Sequence, residues 1–169
     1  VVNLTDDEYD VYRMDMYSAS SNSSTTFNIG AHTYNINLLN LGASSATATT
    51  VYNIYSGATF DVTRIGSTAY NTGTVTVNDT GTWTVDTLTW QSNHTHNAAT
   101  GNMWNITGTS TLTSAGKFKP DSLRIASSGT VTMADGWKVG GLNIASGTFA
   151  TTNHAVPDTI VRNLNVSGG

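Results

Sequence analysis

At 169 residues without a cysteine, the chain fits one domain, can bury a sizeable core without disulfides, and carries no thiol for catalysis or metal ligation. Only 11% of the residues are charged, against a usual share near ~25%, and Thr, Asn, Ser and Gly make up almost half of the chain. The net charge of −4 arises within the first fifteen residues, and seven scattered basic residues give no footprint for nucleic acid or anionic lipid.

Small hydroxyl and amide side chains are poor helix formers, whereas Thr, Val, Ile, Tyr and Trp favour strands. A hydrophobic content of 38% with fifteen aromatic residues supplies enough apolar surface to fold. The expected class is therefore all-β. No apolar run approaches the roughly 20 residues of a membrane span, so insertion into a bilayer is not expected.

Residues 1–33 lie outside the clearest repeat. They hold the acidic cluster Asp6, Asp7, Glu8, Asp10 and Asp15, which lacks the spacing of an EF-hand loop. The stretch Tyr12-Arg13-Met14-Asp15-Met16 alternates, so Tyr12, Met14 and Met16 are expected to share a face and to cap a first coil. A Ser- and Asn-rich loop is expected from Ser18 to Thr26.

From residue 34 to 169 an apolar-Asn-apolar pattern recurs: Tyr34-Asn35-Ile36, Tyr52-Asn53-Ile54, Trp104-Asn105-Ile106, Leu142-Asn143-Ile144 and Leu164-Asn165-Val166. Weaker copies begin at Tyr70, Leu88 and Leu123, giving steps of 18, 18, 18, 16, 19, 19 and 22 residues. Glycine and a short alternating stretch follow most copies, as in Gly73-Thr74-Val75-Thr76-Val77. A strand, a glycine bend and a second strand per unit predict stacked parallel coils, about eight in number by this spacing. Equivalent positions then line up as columns. Tyr34, Tyr52, Tyr70, Leu88, Trp104, Leu123, Leu142 and Leu164 would form one, their partners two residues on a second, and the asparagines between them a ladder of amides.

These residues resemble the parallel β-helix segments of bacterial and archaeal surface proteins, autotransporter-like adhesins and phage structural proteins. The resemblance covers residues 34–169 and rests on Gly-Thr-Val-Thr-Val strands and coil length. A right-handed coil is expected from the handedness of parallel crossovers. The competing architecture is an antiparallel β-sandwich with strands every 8–12 residues or so.

Candidate sites are few. Asp61 and Asp79 each fall nine residues after a repeat start, which would set their carboxylates on adjacent coils as a candidate calcium site. His94-Thr95-His96 sits in a polar stretch and reads as a loop with exposed imidazoles. Trp83 and Trp137 lie outside the expected core columns, where they would either stack on sugars or pack at coil corners. Leu164 and Val166 begin a last coil with no polar cap after it, so an edge contact is expected there with another copy, another subunit or further chain.

No phosphate loop, dinucleotide fingerprint or nucleophile elbow appears. The expected function is a non-enzymatic structural or assembly module of an extracellular, cell-surface or virion-surface protein. A glycan-binding adhesin or receptor-binding module is the alternative, and a polysaccharide lyase or hydrolase ranks below it.

Overall fold

The computed structural model describes residues 1–5, 8–66, 73–90, 93–112, 117–134, 138–152 and 159–167. Strands account for all of its regular structure apart from a 3-10 position at Lys117. They are β1 (Val2–Leu4), β2 (Glu8–Ser18), β3 (Ser24–Ile29), β4 (Thr33–Ala43), β5 (Thr49–Ile54), β6 (Thr59–Ile65) and β7 (Thr74–Asp79). There follow β8 (Thr82–Trp90), β9 (His94–Ala98), β10 (Met103–Ile106), β11 (Ser110–Leu112), β12 (Ser122–Ala134), β13 (Lys138–Thr152) and β14 (Thr159–Val166). The smaller sheet runs β1-β3-β5-β7-β9, and the larger runs β14-β13-β12-β10-β8-β6-β4-β2, with β11 beside β8 and β12. Every pairing among the described residues is parallel, which establishes a β-solenoid and rules out the antiparallel sandwich.

Alternation decides which side chains enter the core. In β5, Thr50, Tyr52 and Ile54 are buried, while Thr49, Val51 and Asn53 are only partly covered. The long strands of the larger sheet change face at mid-length. In β4, Tyr34 and Ile36 point inward, Asn37 and Leu38 interrupt the alternation, and Leu39 and Leu41 point inward again. Matching interruptions recur opposite it in β2 and β6, so the sheet bends along one line and its two limbs enclose one core with the smaller sheet.

The true repeat differs from the one expected. Tyr52 does not lie between Tyr34 and Tyr70; it pairs with Phe27 and Val77 on the smaller sheet. Tyr34 pairs with Tyr9 and Phe60 on the larger. From Tyr34 the stacked positions are Phe60, Trp83, Trp104, Leu123, Leu142 and Leu164, so this stretch makes about six turns between seven stacked positions, where eight positions were expected. The later half of the expected column, Trp104 to Leu164, holds in register. Tyr70 lies outside the described residues. Early turns are longer because each contains a strand of both sheets; later ones shorten beyond β9, the last described strand of the smaller sheet.

Aromatic rings fill the first part of this column. Tyr9, Tyr34, Phe60, Trp83 and Trp104 stack with successive centroid separations of 4.9, 4.6, 3.8 and 4.5 Å. Three of these lie close to the ~4.8 Å between neighbouring strands, so the sheet spacing sets the ring spacing there, and Phe60 and Trp83 approach more closely.

Residues 1–33 continue the solenoid: β1, β2 and β3 all pair in register into the two sheets. Tyr12 does not share a face with Met14 and Met16. Strand β2 bends between them, leaving Tyr12 79% exposed, Met14 partly buried against the core and Met16 buried.

Candidate functional site

The smaller sheet presents an inward column of Ile29, Ile54, Asp79 and Ala98. A carboxylate thus occupies an isoleucine position, 1% exposed. Desolvating such a group is costly unless its oxygens are fully hydrogen-bonded. Here Oδ2 accepts from Trp83 Nε1 at 2.9 Å and Trp104 Nε1 at 3.1 Å, and lies 2.9 Å from His96 Nε2. Oδ1 accepts from the Gly81 amide at 2.8 Å. Glycine suits this turn, because a Cβ at position 81 would come within 2.9 Å of Ile54 Cγ2. Asp79 therefore ties the smaller sheet to two indoles of the aromatic column on the larger one.

Two of the four histidines lie on the adjacent strand of the smaller sheet. His94 and His96 are buried in β9, opposite Val75 and Val77, which overturns the expectation of exposed loop imidazoles. His96 stacks on Phe118 at 5.3 Å and meets Trp104 edge-on at 5.6 Å. His94 meets Trp90 edge-on at 5.5 Å, and Trp90 Nε1 donates to the His94 carbonyl at 3.1 Å. Burial, with a smaller contribution from the Lys117 charge, lowers the His94 pKa to about 4. The Asp79 and His96 side chains have no solvent exposure, so the pair is sealed from any dissolved substrate.

Asp61 and Asp79 are not brought together. Asp61 is exposed between Asn35 and Thr84 on the larger sheet, whereas Asp79 points inward from the smaller one, so no two-carboxylate site forms from this pair. The expectation failed because the two residues belong to different sheets. Among the described residues no group of three His, Asp or Glu is placed to hold a metal ion.

Trp83 is also corrected: it is 1% exposed within the aromatic column, so its ring has no free face for a sugar. Trp137 lies outside the described residues.

An amide ladder does form, and it combines the expected Asn53 with members that were not expected. Asn28, Asn53, Asn78 and Asn97 each donate from Nδ2 to Oδ1 of the asparagine one turn earlier, beginning at Asn3, at 2.9, 3.0, 2.9 and 3.1 Å. Its first four members recur every 25 residues, a signal present in the sequence and hidden by the 18-residue spacing.

Among the described residues, β2 and β14 are the edge strands of the larger sheet. On β14, Leu164 and Val166 are 57% and 61% exposed, although they continue the columns of Leu142 and Ile144. Comparison with protein-family models, with curated proteins and with solved structures finds no match for this chain.

Proposed function

We propose that this chain is a non-enzymatic structural module, a rigid element of an extracellular, cell-surface or virion-surface assembly, whose sheet is extended by another copy at its open edge. The observation carrying this reading is the pair of exposed apolar side chains, Leu164 and Val166, on an unpaired strand of a continuous parallel ladder. Such an edge recruits strands. Continuing the columns onto β2 of a second copy would set Leu164 over Tyr9, Asn165 over Asp10 and Val166 over Val11, each a compatible contact. Scarcity of charge also suits close packing of neighbours.

Sedimentation over a wide concentration range, with negative-stain microscopy, tests this reading. The wild-type chain should form end-to-end particles that Leu164→Lys with Val166→Lys abolishes. A wild-type chain that stays monomeric throughout, with freely exchanging β14 amides, would overturn it.

A glycan-binding reading has one observation in its favour. Tyr12 borders a shallow groove of about 470 Å³ whose outward side chains include Asp10, Asn35 and Asp61. An exposed ring beside carboxylate and amide acceptors suits a neutral sugar. Loss of oligosaccharide binding in Tyr12→Ala would support it.

A further inference from the structure

Three of the seven basic residues, separated in sequence by about one turn each, converge on a single groove. Lys119 precedes β12, Lys138 opens β13 and Arg162 lies in β14; together they line a depression of about 310 Å³ floored by Ala98, Pro120 and Gly140. The groove reaches Ala98, which ends β9, the last described strand of the smaller sheet.

The placement of Arg162 is specific. Between β13 and β14 the register slips: one residue separates Val139 from Gly141, whereas two separate their partners Ile160 and Asn163. This extra residue is a bulge, a device that re-aims side chains. Opposite it, Gly140 leaves space for the guanidinium, since a Cβ there would lie 2.6 Å from Arg162 Nη2 and 2.3 Å from the Asp121 carbonyl oxygen. Arg162 Nη2 donates to that carbonyl and is 2.7 Å from Asp121 Oδ1. Asp121 Oδ2 meanwhile accepts from the Gly101 amide at 2.9 Å.

The one carboxylate in the groove is thus engaged on both oxygens, and it balances one of three cations. Lys119 and Lys138 are exposed, and neither has an ion pair among the described residues. Cations above a floor of alanine, proline and glycine suit a small molecule with a charged oxygen group and an apolar or ring-shaped body.

We infer that this groove binds an oxyanion, the carboxylate or phosphate of a small organic ligand, through Lys119 and Lys138, with Arg162 held in place by Asp121 and Gly140. Carboxylate and phosphate share the recognition chemistry, and the test separates them.

Amide NMR titrations of the whole chain with D-galacturonate, inorganic phosphate and the neutral D-galactose decide the matter. At least one anion should shift the Gly101, Gly140 and Gly141 signals while galactose leaves them in place. A response to galacturonate alone assigns a sugar-acid site; a response to both assigns recognition of the charged group. Lys119→Gln with Lys138→Gln, both at exposed positions, should weaken binding by about tenfold or more, because a charge-assisted hydrogen bond contributes at least that factor. Added salt should weaken it as well. The inference fails if neither anion shifts these amides, if galactose shifts them equally, or if the double variant titrates like the wild type.

Discussion

Asp79 occupies, one strand further along the stack, the inward position that Ile54 fills in the preceding turn. The substitution of a carboxylate for a branched alkyl group is tolerated because neighbouring turns of the solenoid supply two indole N–H groups, an imidazole and a backbone amide around it. Both oxygens of the buried carboxylate are thus satisfied within the core.

Removing the carboxylate leaves those donors buried without their acceptor. Asp79→Ala should lower stability by about 3–5 kcal/mol, and Asp79→Asn, which keeps one carbonyl oxygen, should lower it less. Urea unfolding measures both. A loss below about 1 kcal/mol in Asp79→Ala would show that the network contributes little.

Stability should fall on mild acidification through His94. Its pKa is about 4 in the folded chain and near 6.5 when unfolded, so between these values the unfolded chain holds more protons. Its contribution is complete above about pH 6.5, declines as pH drops, and is exhausted below about 4, a span of roughly 3 kcal/mol. Urea midpoints from pH 7.5 to 4.5 should decline more steeply in the wild type than in His94→Asn. Parallel curves would exclude His94 as the source.

The amide ladder should show position-dependent costs. Asn53→Ala removes its bonds to both Asn28 and Asn78, whereas Asn3→Ala removes only the bond from Asn28. At about 0.5–1 kcal/mol per partly exposed bond, the first should cost about twice the second. Equal costs in thermal unfolding would mean that the ladder is incidental to stability.

Fold class was legible because coil punctuation and strand composition survive any error in period. From Trp104 onward the expected register is also the observed one, since each turn there contains a single copy of the pattern, the weaker Leu123-Arg124-Ile125 included. Before it, one turn contains two such copies. Tyr34-Asn35-Ile36 and Tyr52-Asn53-Ile54 look alike because both are half-buried strands, yet they lie in different sheets. Residue type reports burial and alternation; it does not report which sheet a strand joins.

That ambiguity also hid the buried cluster. Aligned at the true spacing, His94-Thr95-His96 falls beside Val75-Thr76-Val77, and its inward direction becomes readable. Similarly, Lys119, Lys138 and Arg162 look isolated until the turns are counted.

Among the described residues the smaller sheet has no strand after β9, while the larger continues through β12, β13 and β14, so the described coils are not equally braced. Under tension or in denaturant, the singly supported turns should peel away before the doubly supported ones, giving the rod a weak pole and a strong pole. A load applied along it would be resisted differently depending on which pole is pulled.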